Sequence, residues 1–158
     1  MNSREFRNAM GRFATGVTVI TTNDGEDVHG MTANAFMSIS LDPKLITISI
    51  DNNANMLGKI MASGQYGVNF LSDEQQDISM HFAGQKEKEE AIDFDEIEGV
   101  PAIKGSLASV VCDVDQTIIV GDHTLFIGKV LDLKLSDGNP LTFFCGKYGG
   151  YRQNEYAR

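Results

Sequence analysis

Alternating apolar and polar positions dominate the chain and predict a protein built mainly of β-strands. The segments VTVITT (17–22) and KLITISI (44–50) are rich in the β-branched residues that favour strands. NDGED (23–27) has the composition of a hairpin turn, and LDP (41–43) separates KLITISI from the strand before it. The same pattern predicts later strands in YGVNFL (66–71), LASVVCDVDQTIIV (107–120), HTLFIGKVLDLKL (123–135) and PLTFFCGKY (140–148), with turns at 121–122 and 136–139.

Helical periodicity appears first at the start of the chain. Phe6, Met10 and Phe13 recur at helical spacing, and Glu5 favours the first turn of a helix. Ser3 is the predicted N-cap. Gly16 is the predicted end of this helix.

Two further short helices are predicted between strands. NNANMLGKIMASG (52–64) ends at Gly64, and its inward residues are predicted to be Leu57, Ile60 and Met61. The other begins at Ser72, where Gln75 follows three residues later in the pattern of a capping box. Mid-strand, Asn69 is predicted to satisfy a backbone group.

These elements predict a single domain over residues 1–158, with an α+β fold or a mainly-β barrel. Helices are inserted between antiparallel strands without regular alternation, and no repeat or linker is visible. The dense charge of QKEKEEAIDFDEIE (85–98) fits a docking surface or a carboxylate pair, but a solvated loop is the favoured interpretation.

Charge and composition narrow the function and the location. The net charge of −9 argues against a nucleic-acid partner, because phosphate backbones are bound by clustered Lys and Arg. Cys112 and Cys145 lie in apolar strand-like runs and match no metal or redox spacing, so they are predicted to be buried free thiols. No signal peptide or membrane-spanning stretch is visible. We expect a soluble cytoplasmic protein without a membrane partner.

Several kinds of active site are absent from the sequence. There is no GxGxxG, no GxxxxGK[ST] and no GxSxG. The histidines His29, His81 and His123 are scattered without ligand spacing, so no metal site is expected. An enzyme with this sequence would rely on a cofactor for its chemistry.

The segment HGMTANAFMSIS (29–40), predicted to be a strand, is unusual for one because many of its side chains are small. One explanation is a wall against which a flat flavin ring lies, since small side chains let backbone groups approach a ligand. Thr32, Asn34 and Ser38 would then offer hydroxyl and amide groups to the polyol. The alternative is a crowded barrel interior in which only small residues fit. These residues alone do not decide between the two.

Four ordered motifs add a resemblance that covers residues from about 4 to 148. FRNAMGRFATGVTVITT, HGMTANAFMSISLDPKL, GDHTLFIGKV and FFCGKY resemble the flavin reductase-like family. Within it, the chain resembles the small reductase component of two-component flavin-dependent aromatic monooxygenases, such as the phenol and 4-hydroxyphenylacetate hydroxylase reductases.

The resemblance implies a split β-barrel of the FMN-binding type with Greek-key topology, usually a homodimer. It implies transfer of hydride from NADH to FMN or FAD, and delivery of the reduced flavin by diffusion to a separate oxygenase. A non-catalytic flavin-binding module and a stand-alone flavin or ferric reductase remain alternatives on the same fold.

The resemblance also implies a set of binding residues, none of them a catalytic acid, base or nucleophile. It places the ring and polyol against Met31, Thr32, Ala33, Asn34, Ala35 and Ser38. The cradle continues towards the phosphate along Ser49, Ile50, Asp51, Asn52, Asn53 and Asn55. The ribityl or distal part contacts Phe82, Ala83 and Gly84, and the nicotinamide contacts His123 and lies near Tyr148.

The sequence alone does not decide the roles of two of these residues, Phe82 and Tyr148. Phe82 fits a core residue as well as a ring contact, and Tyr148 fits an edge-strand aromatic. The asparagines at 52, 53 and 55 stand where the family often has a basic or hydroxyl residue for the flavin phosphate. Backbone N–H groups at the start of the following helix would compensate for that missing charge.

Overall fold

The computed structural model describes residues 1–155, and the fold is mainly β with a few short helices, as predicted. The helices are α1 (Ser3–Met10), α2 (Asn55–Ser63) and α3 (Gln76–Phe82), with a 3₁₀ turn at Asp73–Gln75. The strands are β1 (Thr15–Gly16), β2 (Thr18–Asn23), β3 (Val28–Ala33), β4 (Phe36–Leu41), β5 (Lys44–Asp51), β6 (Gln65–Phe70), β7 (Phe94–Ile97), β8 (Val100–Ile103), β9 (Ala108–Val120), β10 (His123–Leu135), β11 (Leu141–Phe144) and β12 (Lys147–Gly150).

Seven strands form one antiparallel sheet in the order β3-β2-β6-β9-β10-β5-β4. Its two edge strands, β3 and β4, are consecutive in the chain and are separated only by Asn34 and Ala35. A second sheet joins β1, β11 and β12, and β7 pairs with β8 in a separate hairpin. The short 34–35 link therefore brings the two edges of the large sheet together.

Two apolar clusters form the core. The larger lies on the large sheet and contains Tyr66 and Phe126, both fully buried, among isoleucines of β2, β5 and α2. The hydroxyl of Tyr66 donates to the carbonyl of Phe126 at 3.1 Å, and burial raises the pKa of this phenol. The smaller cluster, around Val19, Leu71 and Leu141, ties the three-stranded sheet to the large one.

The first helix forms as predicted, but both of its predicted ends are wrong. Asn2 is the N-cap instead of Ser3, because its Oδ1 accepts from the backbone N–H groups of Arg4 and Glu5. Glu5 completes a capping box by accepting from the N–H of Asn2 at 2.9 Å. The helix ends at Gly11, well before Gly16, which lies in β1.

The apolar residues of this first segment remain at the surface. Phe6, Met10 and Phe13 are 50%, 56% and 79% exposed. Phe13 lies beyond the helix, so the helical spacing that includes it is accidental. The pattern identified a real apolar surface, which the described part of the chain leaves exposed.

The second helix buries Ile60 as predicted, but its other buried residue is Met56 instead of Leu57 or Met61. Met56 and Ile60 are buried and Leu57 is half-buried, whereas Met61 is 56% exposed. The four-residue spacing of Met56 and Ile60 places both on the same side of the helix, and Met61 lies on the solvent side. Gly64 ends the helix with φ +71°, as predicted.

The capping box at Ser72 is confirmed. Its N–H donates to Oε1 of Gln75 at 3.0 Å, and the chain makes a 3₁₀ turn before α3 begins. The charge-dense segment is mostly irregular, as a solvated loop would be, and becomes β7 at Phe94. Lys88 pairs with Asp77 at 3.2 Å, which fastens this loop to α3.

The last predicted strand is a hairpin of two strands, β11 and β12, because Cys145 and Gly146 turn the chain with φ +50° and +77°. Cys145 is exposed at this turn, so its predicted burial is wrong. Cys112 is buried as predicted, and burial raises the pKa of its thiol to about 12. Within residues 1–155, no helix is long and apolar enough to cross a membrane.

Candidate functional site

A cleft of about 1670 Å³ lies along the edge of the large sheet, beside the link between β3 and β4. One wall comes from the N-terminal segment between Arg7 and Thr18. The opposite wall comes from 34–37 and from 47–49 in β5. The β11–β12 turn, with Cys145 and Gly146, closes one end. Of the residues predicted to bind flavin, this cleft collects Asn34, Ala35 and Ser49.

The link between β3 and β4 is fixed by backbone hydrogen bonds. The N–H of Ser49 donates to the carbonyl of Ala35 at 3.1 Å, and the N–H of Phe36 donates to the carbonyl of Asn34 at 3.0 Å. Asn34 and Ala35 are themselves exposed at the cleft. Here the small side chains do leave backbone open to a ligand.

At its other end the same small-residue segment is filled by the protein itself. A Cβ atom on Gly30 would lie 2.4 Å from Cε1 of Phe82, so the phenyl ring occupies the space that a side chain would need. Phe82 also packs against the smaller core cluster. The unusual composition of residues 29–40 therefore has two causes, an internal contact at Gly30 and an open cleft at Asn34 and Ala35.

Tyr148 and Thr32 belong to this internal region. The hydroxyl of Thr32 donates to the carbonyl of Ser79 at 2.6 Å. The hydroxyls of Ser79 and Tyr148 are 2.8 Å apart, within hydrogen-bond distance. The ring of Tyr148 packs against Phe143 with centroids 5.3 Å apart. These contacts join β3, α3 and the C-terminal hairpin.

His123 extends the sheet surface that lines the cleft. In the pairing of β5 with β10, Ser49 is opposite Leu125, and Asp51 is opposite His123. Ser49 and Leu125 both line the cleft. Since residues two apart in a strand share a face, Asp51 and His123 continue that face beyond the cleft.

The turn next to His123 is held in place by hydrogen bonds. Nδ1 of His123 donates to Oδ1 of Asp122 at 2.7 Å, and this bond lowers the pKa of Asp122. The backbone N–H of Asn52 donates to the carbonyl of Asp122 at 2.9 Å. Thr124 donates its hydroxyl to Oδ1 of Asn52 at 2.7 Å. Asn52 therefore fastens the end of β5 to the hairpin that carries His123.

The remaining predicted residues do not line the cleft. Ile50 is fully buried in the core, and Ser38 pairs with Ile46, one position further along β4 than the cleft residue Met37. Other predicted residues outside the cleft lining are Met31 and Ala33 on β3, Asn53 and Asn55 before and at the start of α2, and Ala83 and Gly84 after α3.

Several cleft residues were not predicted from the sequence. Arg7, Arg12, Phe13 and Thr15 line the N-terminal wall. Oγ1 of Thr15 is buried and has no hydrogen-bond partner among the described residues. The motif FRNAMGRFATGVTVITT contains all four, but their local pattern did not assign them this role, because the opposite wall begins only at Asn34, 19 positions after Thr15.

The comparisons with known proteins all point to the same family. Residues 10–152 match the family described as "Flavin reductase like domain". An NADH-dependent flavin reductase from a Rhodococcus species is 46% identical over 145 residues, covering 90% of this chain and 82% of that protein. The reductase component of 4-hydroxyphenylacetate 3-monooxygenase from Thermus thermophilus is 37% identical, covering 94% of each.

A solved protein structure is also similar to this chain. Flavin reductase PheA2 in its native state is 56% identical, with a TM-score of 0.94, over 97% of this chain and 100% of that one. The family match spans most of the chain and includes both walls of the cleft except Arg7 and Asn8. The chain therefore belongs to the flavin reductase-like domain family.

Proposed function

We propose that this protein is an NADH-dependent flavin reductase that supplies reduced FMN or FAD to a separate aromatic-ring monooxygenase. The cleft at the β3–β4 link carries this proposal. It lies at the motif that the sequence shares with the family, and its walls combine apolar side chains with exposed backbone. Relatives named as NADH-dependent flavin reductases and as a monooxygenase reductase component support the same activity.

The residues of the cleft fit a flavin. Phe13, Phe36 and Met37 offer apolar surface for a flat ring. The unpartnered hydroxyl of Thr15 is a polar group at this wall that no other described residue satisfies, and a ligand atom would do so. A bound flavin supplies the redox chemistry, since its ring accepts a hydride from NADH.

The chain's own residues act by position. Asn34, Ala35 and Ser49 hold one edge of the flavin, with polar backbone that favours added negative charge on the ring. His123, oriented by Asp122, positions the nicotinamide on the same face of the sheet. Holding two reacting groups in the correct orientation accelerates transfer without an acid or a base from the protein.

The other predicted residues support this arrangement. Met31 and Ala33 on β3 and Ser38 on β4 would support the link that holds the flavin, and Ile50, Asp51 and Asn52 set the position of the β5 end. Asn53 precedes α2 and Asn55 begins its first turn, which has no acidic residue and no side-chain cap. Phe82, Ala83, Gly84 and Tyr148 belong to the distal end of the site, where their role is to support the β3 wall.

We also propose that the large sheet is a split barrel with Greek-key topology and that residues 1–158 form a single domain. The edges β3 and β4 are joined by only two residues, which favours a sheet that curves back on itself.

The functional unit that we propose is a homodimer in the cytoplasm. Phe6 is exposed outside the cleft lining, Met10 and Phe13 are exposed within it, and burying this apolar surface against a second copy favours association. Two free thiols fit a reducing compartment.

A steady-state assay tests the activity. Purified protein is mixed with FMN, FAD or riboflavin and with NADH or NADPH, and the absorbance at 340 nm is followed. Loss of NADH that depends on flavin is expected. Binding of flavin without loss of either nicotinamide would contradict the proposal and favour a flavin-binding module. Adding a monooxygenase that requires reduced flavin, in a separate dialysis chamber, tests delivery by diffusion.

A further inference from the structure

The charge of the cleft is opposite to that of the protein. The whole chain carries 22 acidic and 13 basic residues. Of the residues that line the cleft, however, the charged ones are Arg7 and Arg12, and none is acidic. In residues 1–23 the single acidic residue is Glu5, whose carboxylate accepts from the N–H of Asn2. An acidic protein thus presents a cationic wall at this cleft.

Both arginines are held beside the cleft by the backbone around Gly11. The N–H of Gly11 donates to the carbonyl of Arg7 at 2.9 Å, at the end of α1. The carbonyl of Gly11 accepts from the N–H of Cys145 at 2.8 Å, which fastens this corner to the β11–β12 turn. Arg12 follows immediately. The backbone positions of Arg7 and Arg12 beside the cleft are therefore set by the fold.

Neither guanidinium is neutralised by the protein. Within residues 1–155, Arg7 and Arg12 form no ion pair, and the side-chain hydrogen bond that Arg7 makes runs from Nε to the carbonyl of Ser3 at 3.3 Å. Their remaining N–H donors are free to bind an anion. Guanidinium groups bind phosphate with paired hydrogen bonds, and apolar surroundings strengthen such contacts.

We infer that Arg7 and Arg12 bind a phosphate group of the nucleotide that occupies the cleft. This inference rests on the proposed function, because the nucleotides in question are FMN, FAD and NADH. The two arginines would also supply the positive charge that residues 49–56 lack. The phosphate belongs either to the flavin or to the pyrophosphate of NADH, and the experiment distinguishes these two sources.

The variants are Arg7→Gln, Arg12→Gln and the double substitution. Lys44→Gln is the matched control, since it removes one positive charge from the exposed first residue of β5, outside the cleft lining. Dissociation constants of each protein for riboflavin, FMN and NADH are measured by titration calorimetry, and KM values by the assay above. Riboflavin is the key comparison because it has the ring and the polyol of FMN without the phosphate.

If the arginines bind the flavin phosphate, the dissociation constant for FMN rises about tenfold or more in Arg12→Gln or the double variant, as the loss of a charge-assisted hydrogen bond implies. Riboflavin binding stays as in wild type. If they bind NADH, the KM for NADH rises by a similar factor with either flavin. In both cases added salt weakens the wild-type contact, and Lys44→Gln behaves as wild type.

Three results would overturn the inference. One is unchanged binding of both FMN and NADH in the double variant. Another is an equal loss of riboflavin and FMN affinity, which would mean that the arginines position the ring or maintain the wall. The third is an equal effect of Lys44→Gln. Absence of NADH consumption by the wild type, with FMN affinity still dependent on Arg12, would instead contradict only the proposed function. Thermal unfolding of each variant separates these effects from loss of folding.

Discussion

Gly30 and Phe82 are in direct contact across β3 and α3, and the phenyl ring takes the place of a side chain on the glycine. An added Cβ would lie between 2.4 and 2.9 Å from three ring carbons of Phe82. These distances are shorter than any ordinary van der Waals contact, so one of the two elements would have to move. The contact determines how closely α3 packs against the β3 wall of the site.

Gly30→Ala is expected to destabilise the protein by about 1–3 kcal/mol, because it overpacks this contact. Phe82→Leu in the same protein should recover part of the loss by making room for the methyl group. Urea unfolding of both single variants and the double variant measures the coupling. Gly58→Ala is the matched control, since Gly58 lies in α2 with no atom near its added Cβ, and it should stabilise the protein by about 1 kcal/mol. If the changes in the free energy of unfolding caused by Gly30→Ala and Phe82→Leu simply add in the double variant, the two residues are not coupled and the contact is contradicted.

His123→Ala is expected to raise the KM for NADH, because the imidazole lies on the same face of the sheet as the cleft residues Ser49 and Leu125. Asp122→Asn should give a smaller change in the same direction, since the carboxylate orients the ring at 2.7 Å. Steady-state kinetics with varied NADH measures both, and His29→Ala is the control. If His123→Ala has the same KM for NADH and the same kcat as wild type, the proposed role of His123 in positioning the nicotinamide is wrong.

Asn69→Ala is expected to cost about 3 kcal/mol, because it leaves several buried polar groups without partners. The amide donates to the carbonyl of Val19 at 2.9 Å, and its oxygen accepts from the N–H of Ile103 and from Ser109, each at 2.8 Å. Asn154→Ala, at an exposed position, is the control. Denaturant unfolding measures the difference, and a loss no larger than the control's would show that water replaces the network.

Asp24 should make stability depend on pH at the acidic end. Its pKa is lowered, first by the backbone N–H of Asp27 and then by His29, with which Oδ2 makes a 2.9 Å contact. A lowered pKa in the folded state means that the stabilisation is present above the unfolded-state value of about 3.9 and is lost as the pH falls below it.

Asp24→Asn should therefore be less stable than wild type at pH 7, and this difference should shrink as the pH falls through the carboxyl range. Urea unfolding at several pH values measures it. Asp137→Asn, which removes the same charge from the exposed loop after β10, serves as the comparison. A difference that is constant with pH would mean that the ionised form of Asp24 contributes nothing.

The sequence alone determined most of the strands, because their period-two patterns and turn residues are local properties. Gly64 ended α2 and the Ser72 capping box started the next helical turn as predicted, since caps depend on a few neighbouring residues. The end of α1 was wrong for the opposite reason. The apolar period that passed through Phe13 belonged to a surface that stays exposed among residues 1–155.

What only the tertiary structure decided is which residues meet. Gly30 and Asn34 belong to one small-residue segment, yet one contacts Phe82 and the other faces an open cleft. Arg12 and Ser49 line the same cleft although 37 positions in the numbering separate them. Local patterns record the conformation of the backbone, whereas these contacts depend on the order of the strands in the sheet, which brings distant parts of the chain together.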